Sequence, residues 1–299
     1  MTQQIVDLNT QIQPAQPPLR LTPLTSRIGA TVEGVDLRRP LPEETARALR
    51  AALNQRRVLF FRDQPVTPTE QVAFARWFGE LTPAHPLQGG LDDAHPEVLV
   101  LDSERYALGV GDQAASTSYN NRWHTDVTFS AEPPAASVLA AKLLPETGGD
   151  TLWADLVGAY RTLSAPLQRA LVGLVAVHTA RHTFERLRQT GGDERVQALP
   201  PARHPVVRIH PETGEPALFV NPTFTSHIEG LSHLESSALL SLLYEHITLP
   251  EHVVRWRWAP GDLAIWDNRV TSHYAAADYQ GRRVMHRVTV AGDAPRGFE

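Results

Sequence analysis

Apolar residues recur along this chain at two spacings, and the spacing separates helices from strands. In "LPEETARALRAALNQR" Ala48, Leu49, Ala52 and Leu53 fall on one stripe behind Pro42 at a first turn, which predicts a helix. "TPTEQVAFARWFG" opens with Thr67 and Glu70 at the spacing of a capping box, in which side chain and backbone satisfy each other's free donors. "SHLESSALLSLLYEHI" repeats the device with Ser232 and Glu235. Residues 154–175 predict one or two further helices, broken near Pro166.

Between these lie short β-type runs: "RVLFF", "EVLVLD", "SVLAAKLL", "HPVVRIH", "ALFV", "VVRWRW", "DLAIWD" and "RVMHRVTV". In "VVRWRW" Val254, Trp256 and Trp258 face one way, Arg255 and Arg257 the other. Many short strands separated by Pro/Gly turns predict a mainly β, double-sheet architecture flanked by helices. A doubly wound parallel sheet fits poorly, because helices and strands do not alternate and no Gly-rich phosphate loop follows a strand. Residues 1–20, rich in Gln and Pro without an apolar period, read as a loose leader. Without an internal repeat or interior linker, residues 21–299 are expected to form a single domain carrying long insertions.

Composition narrows the chemistry. The absence of cysteine removes disulfides, zinc–thiolate sites, iron–sulfur clusters and thiol nucleophiles together, leaving thirteen histidines, the carboxylates and the arginines. A net charge of -5 carries no basic footprint, so no nucleic-acid partner is expected. No apolar run approaches the ~18 residues of a membrane span, and the start lacks the flank and apolar stretch of a secretory signal. A cytoplasmic protein without a membrane partner is the expectation.

"NNRWHTDVTF" places His124 and Asp126 two positions apart among aromatic and β-branched neighbours. On a strand both side chains would leave the same face. A third donor is available at His273 in "IWDNRVTSHYAAADY". Two imidazoles and a carboxylate leave about three positions of a metal open, as in non-haem Fe(II) oxygenases. Zinc hydrolases use the same donors, but also need a general base and a polarising group that the neighbouring sequence does not announce. In "RRVMHRVTV" Arg283, Met285 and Arg287 share a face, with the two arginines about 13 Å apart. Two inward guanidinium groups are costly unless each meets an anion, and their planar forks suit carboxylates and sulfur oxyanions. The pattern reads as two anion sites flanking a metal.

Taken together, "WHTDVTF", "GGDTLWAD", "VRWRW" with "GDLAIWDNRVTSHYAAADY", and "RRVMHRVT" resemble the taurine dioxygenase family of Fe(II)/2-oxoglutarate-dependent dioxygenases. The similarity runs from "SRIGATVEGVDL" (26–37) to "MHRVTVAGDAP" (285–295). It implies a double-stranded β-helix, or jelly roll, and Fe(II), 2-oxoglutarate and O2 as cofactor and cosubstrates. Carried over by position, it makes His124, Asp126 and His273 the iron ligands. Thr151 and Arg283 then take the distal carboxylate of 2-oxoglutarate, and Arg287 takes the substrate's sulfonate. His85, Asn120, the backbone at Val127, Phe184 and Phe224 fall on positions lining the substrate pocket. The implied reaction hydroxylates the carbon next to sulfur in a small, taurine-like sulfonate, releasing aldehyde and sulfite with succinate and CO2. The family also holds alkylsulfatases, which cleave sulfate esters by the same oxidation, and enzymes for other small anions. Homo-oligomers, dimers or tetramers, are its usual assemblies. Asp126 retains the carboxylate that halogenating relatives lack, so hydroxylation is expected. Two departures bear on substrate choice: Pro86, Leu87 and Gln88 stand where the family's taurine enzymes have a tyrosine beside the amine, and the loop 103–119 is long. A non-enzymatic sensor of 2-oxoglutarate would have no use for the second arginine.

Overall fold

The structure, a computed structural model, describes residues 19–86, 88–104, 121–181 and 199–298. The largest sheet has the order β1 (Arg20–Pro23), β2 (Ala30–Glu33), β3 (Val58–Phe61), β13 (Leu263–Asp267), β5 (Ala136–Leu143), β15 (Val284–Val290), β4 (Leu99–Asp102). Its β2–β3 pair is parallel and the other pairs are antiparallel. A second sheet, β12 (Val253–Trp256), β6 (Thr151–Asp155) and β14 (Thr271–Ala275), packs against its inner face. β11 (Thr225–Ile228), β7 (Val175–His178) and β8 (Ala202–Pro205) form a third, and β9 (Val207–Ile209) pairs with β10 (Pro216–Leu218). Among the described residues the α-helices are α1 (Glu43–Arg56), α2 (Pro68–Ala75), α3 (Leu156–Thr162), α4 (Ala165–Leu171) and α5 (His233–Ile247).

The central strands are apolar on both faces because each face has a different partner. Leu59, Phe61, Val138, Ala140, Leu263 and Ile265 pack outward with Leu49, Leu53 and Phe74 of α1 and α2. Their neighbours Val58, Phe60, Leu139, Ala264, Trp266 and Met285 point inward onto Trp153, Val254 and Trp256 of the second sheet. Phe60 stacks on Trp256 at 4.2 Å and meets Trp153 edge-on at 5.3 Å. This is the expected mainly β jelly roll with flanking helices.

Both capping boxes form, Thr67 with Glu70 on α2 and Ser232 with Glu235 on α5. The 154–175 region gives two helices, with Pro166 in the first turn of α4, where its missing N–H costs nothing. The run "HPVVRIH" divides between two sheets: Val206 N–H bonds to Leu174 and its carbonyl to Phe219, so β8 and β9 part there.

One expectation is corrected. His124 and Asp126 do not sit on a regular strand. His124 makes a single antiparallel bridge to His273, and the chain then turns through Asp126–Phe129. Val127 takes φ 55°, a left-handed conformation that is an outlier for a β-branched residue, so the extended continuation is lost. No helix among the described residues is long and apolar enough to cross a membrane.

Candidate active site

His124 and His273 meet because their backbones form a two-bond antiparallel pair, 2.9 Å from His124 N to His273 O and 2.7 Å in return. Their rings lie 4.1 Å apart. The Nε2 of each stands 3.8 Å from Asp126 Oδ1, and one donor atom from each of the three residues lies within 4.8 Å of the others. All three are buried.

Hydrogen bonds aim two of the three donors, His124 and Asp126. His124 Nδ1–H donates to the Arg122 carbonyl at 2.7 Å, which leaves the Nε2 lone pair facing the centre. Asp126 is gripped by Asn268, at the corner where the chain passes from β13 to β14. The Asn268 amide accepts from Asp126 N–H at 2.9 Å and donates to the Asp126 carbonyl at 3.1 Å and the Pro134 carbonyl at 2.9 Å. Ser137 Oγ–H donates to Asp126 Oδ2 at 2.8 Å, so Oδ1 is the oxygen presented to the centre.

Burial would raise the Asp126 carboxyl, but the Arg287 guanidinium, helped by the Ser137 hydrogen bond, holds the group well below the usual carboxylate range. Burial pushes both imidazoles down, which favours the neutral form that can ligate a metal. Two imidazoles and a carboxylate converging on one point fit a divalent cation, and the donor set matches Fe(II). His124, Asp126 and His273 could therefore hold the metal.

Arg287 occupies the flank of this centre. Its guanidinium donates to Asp126 Oδ1 at 2.5 Å, and its buried Nε has no partner among the described residues. His85 is buried nearby, its imidazole pushed down to about 3 by burial and then by Arg287. Val127, Phe129, Ala180 and Phe224 form an apolar wall with Leu199 against it. Phe224 reaches the His124 ring at 6.2 Å and Phe129 at 5.1 Å; Phe129 lies 6.3 Å from His85. Four of the six pocket expectations (His85, Val127, Phe224, Arg287) are thus gathered beside the metal donors. Asn120 and Phe184 lie outside the described residues, as do Leu87 and 105–119 of the long loop.

Arg283 and Thr151, the residues expected at a second anion position, are brought together. The register of β15 shifts between Val284 and Met285, and Arg283 precedes the strand. Its Nε–H donates to the Gly149 carbonyl at 3.1 Å and its Nη2 approaches Thr151 Oγ1 at 3.4 Å. The turn that brings this carbonyl in needs glycine: Gly148 and Gly149 have φ 76° and 71°, and a Cβ on Gly148 would meet the Asp278 carbonyl at 2.3 Å. Burial lowers the Arg283 guanidinium, and among the described residues no carboxylate pairs with it.

Asn268 and Ser137 have no signal of their own in the sequence, although the Asp267–Asn268 step at the end of a strand marks a corner. A second group, Thr128 with His178, His204 and Asn221, has no signal in the sequence either. Thr128 Oγ1 bonds His178 Nδ1 at 3.0 Å and Asn221 Nδ2 at 3.1 Å, while its carbonyl meets His204 Nε2 at 2.8 Å. Asn221 Oδ1 accepts from Phe224 N–H at 2.9 Å, which ties the Asp126–Phe129 turn to the apolar wall. Asn268→Ala, which strips both bonds from the Asp126 peptide, is expected to lower metal affinity by about 10–100-fold. Titration calorimetry with Mn(II) reads this; an unchanged affinity would reduce Asn268 to a packing residue.

The family model for the taurine catabolism dioxygenase TauD, TfdA family matches residues 20–289. The chain is 39% identical to an α-ketoglutarate-dependent sulfate ester dioxygenase of Pseudomonas putida, over 94% of this chain and 92% of the relative. It is 37% identical to an alkylsulfatase of Acinetobacter baylyi, over 97% and 90%. A crystal structure of a taurine dioxygenase from Burkholderia xenovorans superposes with a TM-score of 0.78 at 40% identity, covering 94% of this chain and 93% of that one. Such enzymes need Fe(II), 2-oxoglutarate and O2, and the His124–Asp126–His273 centre is suited to the first of these. The chain belongs to the TauD/TfdA family and is a 2-oxoglutarate-dependent non-haem iron dioxygenase.

Proposed function

We propose that this enzyme oxidises alkyl sulfate esters at the carbon bearing the ester oxygen. One oxygen atom of O2 enters that C–H bond as hydroxyl and the other enters succinate, as 2-oxoglutarate loses CO2. The hydroxylated ester collapses: its C–O bond to sulfate breaks, and aldehyde and inorganic sulfate leave. Fe(II), when bound, supplies the activation of O2. In this reading His124, Asp126 and His273 hold the metal, and Arg283 with Thr151 takes the far carboxylate of 2-oxoglutarate. Arg287 and His85 take the sulfate head.

The observation that carries the reading is the wall of Val127, Phe129, Ala180 and Phe224 beside Arg287 and the metal donors. An anionic head on a guanidinium with an aliphatic chain along apolar side chains suits an alkyl sulfate. An ammonium tail such as taurine's would lose hydration there without return. The two relatives named for sulfate esters support the same class. A sulfonate is the second reading, favoured by the taurine dioxygenase structure at 40% identity; the same oxidation would then break a C–S bond and give sulfite.

The test is a panel of linear alkyl sulfates, alkanesulfonates and taurine with Fe(II), 2-oxoglutarate and O2, read by succinate and by ion chromatography. Sulfate and succinate should appear in equal amounts, with the highest kcat/KM among the alkyl sulfates. A higher kcat/KM for taurine or an alkanesulfonate, with sulfite released, would replace the first reading by the second.

A further inference from the structure

The hydroxyl of Thr151 is surrounded by groups that can only donate. Trp258 Nε1–H donates to Thr151 Oγ1 at 2.9 Å, and Arg283 Nη2 approaches the same oxygen at 3.4 Å. An indole N–H and a guanidinium have no acceptor to offer, whereas a hydroxyl has one proton and two acceptor sites. With both sites facing donors, the Thr151 O–H has to donate, and it must do so away from Trp258 and Arg283. All three side chains are buried, so bulk water does not set this orientation.

Trp258 is well held for such a role. It extends the inward face of β12 beyond Val254 and Trp256, and its ring lies 6.3 Å from that of Trp153. Its neighbours in that aromatic group direct their N–H elsewhere: Trp256 donates to Asp262 at 3.1 Å, and Trp153 and Trp266 find no acceptor among the described residues. The Trp258 indole alone among them reaches the anion position.

We propose that Trp258 is a positioning residue for the cosubstrate: its indole N–H fixes the Thr151 hydroxyl as a donor, so that Thr151 and Arg283 together present only hydrogen-bond donors to the far carboxylate of a 2-oxo diacid. This rests on the assignment of Thr151 and Arg283 to 2-oxoglutarate. A hydroxyl free to turn would show lone pairs to the carboxylate for part of the time. The indole removes that orientation before the anion arrives, which favours a dicarboxylate over a 2-oxoacid with an apolar end.

Trp258→Phe keeps a ring in the aromatic group and deletes the N–H. It is expected to raise the KM for 2-oxoglutarate, and its Kd by calorimetry on the Mn(II)-loaded protein without turnover, by about 3–10-fold. At saturating cosubstrate kcat should stay within about 2-fold, and 2-oxobutyrate, which lacks the far carboxylate, should bind as before. In a Thr151→Val background the same substitution should change the Kd for 2-oxoglutarate no further. Should the phenylalanine variant fail to fold, β-(3-benzothienyl)alanine at residue 258 makes the same deletion, sulfur replacing N–H without loss of volume. An unmoved Kd for 2-oxoglutarate, equal losses for 2-oxobutyrate, or additive effects of the two substitutions would overturn the role of Trp258. If Thr151→Val itself leaves 2-oxoglutarate binding intact, the assignment of Thr151 fails instead, and the positioning role with it.

Discussion

Asp126→Asn is expected to lower Fe(II) affinity by about 100-fold or more and to abolish succinate formation at micromolar metal, since losses of 10–100-fold follow even from changes behind a ligand. Asp126 is the anionic donor of the three and the one whose carboxylate is most fully specified, by Ser137 on Oδ2 and by Arg287 on Oδ1. An amide keeps the shape and loses the charge. The loss has a second consequence away from the metal. Arg287 is buried with Asp126 as its ion-pair partner, and a buried pair broken on one side costs about 3–5 kcal/mol. Urea unfolding in the presence of a chelator should therefore show Asp126→Asn destabilised, and Asp126→Asn/Arg287→Gln less destabilised than the sum of the two single variants. Mn(II) calorimetry reads the first effect. An affinity within 3-fold of the parent would remove Asp126 from the metal site, while additive unfolding energies would mean that the pair contributes little.

The parts of this architecture legible in the sequence are those governed by local rules. The two capping boxes need only residues three apart, and both form as read. The two-faced strands β3, β5, β13 and β15 announce themselves as apolar runs because both of their faces are packed. The strands that carry the site are harder to see for a physical reason. β6 reads "TLWAD" and β14 "TSHYA", so polar residues stand where an apolar alternation would have marked the inner face. Thr151 and His273 are among those interruptions. Sites break local consistency where function requires it.

The pair at His124 and Asp126 illustrates the opposite error. Its β-branched and aromatic neighbours read as a strand, yet the chain holds only one bridge there and then turns. What overrides the propensity is tertiary: the Asn268 amide takes both hydrogen bonds of the Asp126 peptide, and Val127 closes the turn with its carbonyl accepting from Ser130 N–H at 2.9 Å. The donors and arginines are recognisable as a set because their chemistry is rare in combination. The groups that aim them, Asn268, Ser137, Trp258 and the Thr128–His178–His204–Asn221 network, come from distant segments, and no spacing in one sequence announces such partners.

Arg283→Gln should weaken 2-oxoglutarate binding by about 2–5 kcal/mol, roughly 30- to 4,000-fold, the range for truncating one member of a buried, hydrogen-bonded charge pair. Unlike Asp126→Asn, it should not destabilise the protein without cosubstrate. Arg283 is buried with a carbonyl and a hydroxyl as neighbours and, among the described residues, no carboxylate on its guanidinium. Burial lowers its hold on the proton, against the opposing pull of Tyr279 and Asp150. Removing that charge relieves a desolvation cost and leaves no stranded partner, so the melting temperature without 2-oxoglutarate should be unchanged or higher. What disappears is the rise in melting temperature that 2-oxoglutarate gives the parent through binding only the folded state. Thermal unfolding of both proteins with Mn(II), with and without 2-oxoglutarate, reads the two effects in one experiment. A variant destabilised before cosubstrate is added would mean that Arg283 is a structural ion-pair member whose anion lies within the chain. A stable variant that no longer responds to 2-oxoglutarate would place the missing anion outside the chain.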